Sequence, residues 1–173
     1  KGADRRRELY LDRAERKRWV EAGDEEARPF MHGLCLLPLR PGALASLTVR
    51  DFEKRTRTLT IGRDKNGNPR QISLPEVIAD FLAEQTKGKL PAAAIFSRVG
   101  GLHWTKDSWK HPIKSAVRAT GLPSAASAYT IRHSVITDLI RARLPILTVA
   151  QLSGTSVGMI ERHYGHLVRG DAD

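Results

Sequence analysis

The sequence holds one cysteine, Cys35, in 173 residues. No intrachain disulfide can form, and no cysteine-based metal cluster can assemble. Cys35 stands in the run Gly33-Leu34-Cys35-Leu36-Leu37 and is expected to be a small buried apolar residue. Apolar runs are short, and none reaches the length of a membrane-spanning helix. No signal peptide opens the chain, which points to the cytoplasm. Internal repeats, low-complexity segments and a glycine-rich phosphate loop are also missing. Acidic residues are scarce: 19 Asp and Glu stand against 29 Lys and Arg, for a net charge of +10. That balance favours a polyanionic partner, nucleic acid first and an acidic membrane surface second.

What is present reads as an α+β domain, mostly helical, with a small antiparallel sheet of three strands near its N-terminal third. Residues 1–10 read as a charged linker end or a disordered stretch, and 11–173 as the folded domain. With no initiator Met and a charged start, the chain is expected to be a piece of something longer. Asp12 followed by Glu15 marks a helix start, and the helix is expected to run to about Gly23. Pro29 suits the first turn of a second helix, whose Phe30, Leu34 and Leu37 recur at helical spacing. Strands are expected over Thr48–Phe52, Thr58–Ile61 and Arg70–Leu74, with Asp64-Lys65-Asn66-Gly67-Asn68-Pro69 as the turn between the last two. Helices follow over Glu76–Glu84 and Asp107–Thr120, where Pro112 is expected to bend the helix or start it afresh. Trp104 and Trp109 read as core anchors, and the loop around His103-Trp104-Thr105-Lys106 is one able to lie on DNA. The next helix carries Ile131, Val135 and Leu139 on one stripe, with Arg132 and His133 expected in its first turn. A short helix holds Ile146, Val149, Ala150 and Leu152. Ser156 is placed to cap the last helix, where Val157, Ile160 and Tyr164 share a face. That face alone would make Tyr164 a core tyrosine.

Four short boxes stand out. They are Arg40 on a turn after an apolar helix, Lys65 on a hairpin with Arg70 after it, Tyr129-Thr130-Ile131-Arg132-His133, and Leu152-Ser153-Gly154-Thr155 through Tyr164-Gly165-His166. In this order they resemble the catalytic domain of tyrosine site-specific recombinases, the phage integrase family. The resemblance covers nearly all of the chain from about Leu11. It implies a DNA breaking-and-rejoining fold and site-specific cleavage of DNA strands through a 3′-phosphotyrosine. It assigns Arg40 and Arg132 to the phosphate, Lys65 to the leaving oxygen and Tyr164 to the attack. It also implies double-stranded DNA as partner and other copies of the chain in a synaptic tetramer. No metal and no cofactor are expected, nor is a membrane. The setting implied is the cytoplasm of a bacterium or phage host, on chromosomal or mobile-element DNA. The smaller DNA-binding domain that precedes the catalytic one in full integrases is expected to lie outside this sequence.

The residue types suit the chemistry. A phosphodiester under attack gains charge on its nonbridging oxygens, and guanidinium groups match those oxygens with paired donors. A phenol can store the bond as a phosphotyrosine, given nearby positive charge or a base. Three positions depart from the family's pattern. The carboxylate usual three residues after the first arginine is Ala43. The histidine usual three residues before the second is Tyr129. The histidine or tryptophan nine residues before the tyrosine is Thr155. Tyr129 and Thr155 keep a hydroxyl able to donate to phosphate. His133 and His166 are expected to support the site from behind it, and His163 to be solvated. Two rival readings remain: a type IB topoisomerase with the same chemistry, and a relative that binds DNA without cutting.

Overall fold

The computed structural model describes residues 9–62 and 69–169. Helix α1 (Arg13–Glu21) starts where the carboxylates place it. Asp12 accepts from the Glu15 amide at 2.8 Å, and Glu15 accepts from the Asp12 amide at 3.0 Å. Helix α2 (Arg28–Leu36) has Pro29 in its first turn and buries Phe30, Met31 and Leu34. Phe30 stacks on Trp104 and Trp109 with ring centroids 5.7 and 5.6 Å apart, so both tryptophans brace the core. Cys35 is partly exposed as a residue, yet burial pushes its thiol up to about 12.

After the short helix α3 (Pro41–Ser46) the expected first strand is largely absent. Thr48 makes a lone bridge to Ala94, and Val49–Asp51 forms one 3₁₀ turn. The cause is local: the Asp51 carboxylate accepts from the Thr48 amide at 2.8 Å and its hydroxyl at 3.0 Å, closing the turn on itself. Only Phe52–Glu53 remain as β1. They pair antiparallel with β2 (Thr58–Ile61), which pairs with β3 (Arg70–Ser73) in the order β1-β2-β3. Leu59 faces Phe52 on one side and Ile72 on the other, and all three are buried.

Helix α4 (Glu76–Thr86) buries Ala79 and Leu82, with Ile78 and Phe81 packed partly against them. Helix α5 (Lys106–Thr120) runs on through Pro112 without the restart that was one of the two expectations there. A proline inside a helix costs about 3 kcal/mol. Buried Ile113, Ala116 and Val117 after it, and Trp109 against Phe30 before it, pack both halves onto the core.

Helix α6 (Ala128–Arg141) is the centre of the molecule. It begins one turn earlier than expected, because Ser127 caps it with Thr130 as reciprocal partner. Arg132 and His133 therefore sit in its second turn. One face of α6 joins the main core through Ile131 and Val135. The other, with Ile136 and Ile140, joins a smaller core under α7 (Ile146–Ser153) and α8 (Val157–Arg169). Ser156 caps α8, its Oγ accepting from the Met159 amide at 3.1 Å.

The segment before α1 is strapped to α6. The Leu11 amide donates to Ser134 Oγ at 3.0 Å, and the Tyr10 hydroxyl donates to Asp138 at 2.6 Å. Arg16 pairs with the other Asp138 oxygen at 2.6 Å and also donates to the Leu11 carbonyl. The Arg141 guanidinium covers the Tyr10 ring at 4.9 Å.

Candidate active site

Helix α7 ends at Gly154, whose φ of +75° is the left-handed conformation that closes helices. A helix end leaves its last carbonyls without internal donors and carries partial negative charge. Here arginines from three separate elements meet those carbonyls. Arg132, on α6, donates to the Ser153 carbonyl at 2.8 Å and to the Pro38 carbonyl at 3.0 Å. Arg40, at the N-cap of α3, donates to the Gly154 carbonyl at 2.9 Å. Arg70, at the start of β3, donates through Nε to the Gln151 carbonyl at 3.1 Å.

The anchor for Arg40 answers the absence of a carboxylate at Ala43. A backbone carbonyl 114 residues away holds the side chain instead. Among the described residues none of the three arginines forms an ion pair. Their positive charges are felt accordingly. Burial, with Arg40 and Arg70 adding like charge, pushes Arg132 down to about 10. Arg70 is lowered by burial and then by Arg40. Among the described residues the three guanidiniums meet carbonyl dipoles and no carboxylate, which suits a phosphate anion.

Tyr164 lies on α8 beside this cluster and is 8% exposed, packed with Ile136, Ile140, Val149 and Ile160. Its ring is a core ring, as the helical spacing suggests. Its hydroxyl is at the edge of that core, 3.0 Å from His133 Nδ1, with the two rings stacked at 5.2 Å. Its charge when ionised is felt by Arg132. Burial lowers His133, and His166 and His163 on α8 lower it further. A neutral imidazole is thus placed to accept the Tyr164 proton.

Tyr129 is 59% exposed, and its charge also reaches Arg132. Thr155 is half-buried, its amide donating to the Ala150 carbonyl at 3.1 Å. His166 is exposed; His163, expected to be solvated, is half-buried. Lys65 lies outside the described residues. The loop at His103–Lys106 lines a cleft of about 490 Å³ beside α3, with His103 Nδ1 2.8 Å from the Ala45 carbonyl. Sequence reasoning named Arg70 only by its spacing from Lys65, and gave Gly154 no role. The close approach between them was not readable. A Cβ on Gly154 would fall 2.5–2.6 Å from the Arg70 guanidinium.

A helical domain with a three-stranded antiparallel sheet, arginines gathered on a helix end and a tyrosine beside them defines a catalytic domain of the DNA breaking-and-rejoining fold. The pattern of the phage integrase family matches residues 16–169, and the chain belongs to that family. It is 26% identical over 157 residues to the tyrosine recombinase XerD of Pseudomonas putida, covering 86% of this chain and 52% of that protein. The chain thus spans about half the length of this curated relative. Its fold is similar to the Tn1549 transposon integrase, solved with transposon right-end DNA (TM-score 0.74, 17% identity, 90% of this chain and 61% of the other). It also matches the catalytic domain of bacteriophage HP1 integrase (TM-score 0.66, 15% identity, 94% and 89%).

Proposed function

We propose that the chain cuts and rejoins DNA strands at specific sites, with Tyr164 as nucleophile. The observation that carries this reading is the gathering of Arg40 and Arg132 on the end of α7, beside a tyrosine whose hydroxyl touches a neutral histidine. Arg40 and Arg132 bind the nonbridging oxygens and stabilise charge that grows in the transition state. Tyr164 oxygen attacks phosphorus, and its proton passes to His133 Nδ1. The bond to the 5′ oxygen breaks, Lys65 protonates that oxygen, and a 3′-phosphotyrosine remains. Attack by a 5′ hydroxyl of another strand reverses the step. Tyr129 and Thr155 donate hydroxyls toward the same phosphate in place of the usual histidine or tryptophan. Double-stranded DNA is the partner, and four copies acting in a synapse complete the exchange. The setting is the cytoplasm, on chromosomal or mobile-element DNA.

The test is a nicked half-site duplex that traps the intermediate. Wild type should form an SDS-resistant adduct, and Tyr164→Phe should form none. An adduct that persists in Tyr164→Phe would place the nucleophile elsewhere. One observation favours a second reading: Tyr129 and Thr155 stand where histidine or tryptophan is usual, as in a relative that binds without cutting. Absence of a wild-type adduct, with binding intact, would select it. Relaxation of supercoils by isolated monomers would instead indicate a topoisomerase.

A further inference from the structure

We propose that Arg70 is a third ligand for the phosphodiester held by Arg40 and Arg132. This rests on the strand-cleaving reading above. Arg70 opens β3, yet its side chain leaves the sheet and reaches the end of α7, where Nε donates to the Gln151 carbonyl. Its terminal nitrogens carry no hydrogen bond among the described residues. A guanidinium presents its donors as a fixed fork, so one anchored edge orients the rest.

The second observation concerns Gly154. The site of a Cβ there would lie 2.5, 2.6 and 2.6 Å from Arg70 Nη1, Cζ and Nη2. Near-equal distances to three atoms of a plane put that site over the face of the guanidinium. Arg70 therefore lies flat against the Gly154 backbone, in space no other residue type would leave open. The same glycine offers its carbonyl to Arg40, and Ser153 beside it offers one to Arg132. Three guanidiniums thus sit on one helix end within a four-residue stretch, Gln151 to Gly154.

The third is electrostatic. Arg70 and Arg40 each add like charge near Arg132, and Arg40 near Arg70. Holding three cations together with no carboxylate among the described residues is unfavourable, and one phosphate anion relieves it for all three. A lattice of surface arginines would not converge on one row of carbonyls. An arginine serving only to pin the hairpin to α7 would use its terminal nitrogens on protein acceptors.

The experiment compares wild type with Arg70→Gln and Arg70→Lys on half-sites carrying either a normal or a neutral methylphosphonate linkage. The neutral linkage is placed at the scissile position or one step to either side. With the normal linkage, Arg70→Gln should slow adduct formation about a hundredfold or more. Arg70→Lys should recover part of the rate, since charge returns without the fork. With the neutral linkage at the scissile position, the ratio of wild type to Arg70→Gln should fall at least tenfold. Neutral linkages on either side should leave it unchanged. Equal ratios on all substrates would make Arg70 a structural pin and overturn the proposal, as would a fall only at a flanking position. Circular dichroism checks folding, and if Arg70→Gln unfolds, Arg70→Lys carries the same comparison. Should wild type form no adduct, the cleavage reading fails separately. Arg70 is then read by binding: neutralising the scissile linkage should weaken wild type more than Arg70→Gln, and equal weakening overturns the proposal.

Discussion

Arg16 and Arg132 both sit in helices and both lie largely inside the molecule, but they are satisfied in opposite ways. Arg16 has a carboxylate: Asp138 at 2.6 Å, with the Leu11 carbonyl as second acceptor. Among the described residues Arg132 has carbonyls only, those of Pro38 and Ser153. The first arrangement cancels a charge locally and fastens two elements together. The second holds a guanidinium in place and leaves its charge uncancelled. A neutral acceptor fixes geometry without neutralising the cation, which leaves it able to attract an anion. The two regions differ, then, in what they are complete without. The strap at Arg16 is finished by its own carboxylate, and the cluster at Arg132 is the one proposed to take a phosphate.

The comparison can be broken most sharply at Arg132. Arg132→Gln should slow adduct formation by about 10²–10³-fold, as loss of one oxyanion donor does, measured as the single-turnover rate on a nicked half-site. Arg16→Met should do the reverse. It leaves Asp138 without its cation and should cost about 3 kcal/mol of stability, the low end for a broken internal pair because Asp138 is a quarter exposed. Denaturant unfolding reads that loss, while adduct formation per folded molecule should change little. If Arg16→Met instead lost activity while keeping its stability, the division between the regions would be wrong.

A smaller effect sharpens the point. Sulfate should stabilise wild type by about 1 kcal/mol at a few times its dissociation constant, seen as a rise in Tm. Most of that rise should vanish in Arg132→Gln and persist in Arg16→Met. The smallest effect is the response to acid at His133. Its folded-state value is lowered, so below the ordinary histidine value of about 6.5 the unfolded chain takes up the proton first. Stability should decline as pH falls below that point, and the adduct rate should decline as His133 gains its proton. His133→Gln cannot titrate, and its pH–rate profile should be flatter over the same range.

The contrast also shows what one sequence reveals. Helices α6 and α8 were legible because apolar spacing and capping residues are local signals. The meeting of Arg40 and Arg132 beside Tyr164 was legible too, through their order and the residues around them. The Arg16–Asp138 pair was not, because its partners are 122 residues apart and each alone reads as an ordinary surface charge. Arg70 was visible only as a neighbour of Lys65 in spacing. Its direction, away from the sheet and onto Gly154, depends on how β3 and α7 pack. The strand expected at Thr48–Phe52 failed because β propensity lost to one side-chain acceptor, Asp51, bonding back to Thr48. Tyr164 is both readings at once: the ring belongs to the core, and the hydroxyl belongs to the site.

The strap ahead of α1 has a mechanical consequence. Tyr10, Leu11 and Arg16 are tied to Ser134 and Asp138, within about two turns of Arg132 on the same rigid rod. A pull on the backbone at Leu9 is therefore delivered straight to α6, with no slack segment in between to absorb it. Whatever tugs on that entry point also tugs on the Arg132 guanidinium, the proposed grip on DNA.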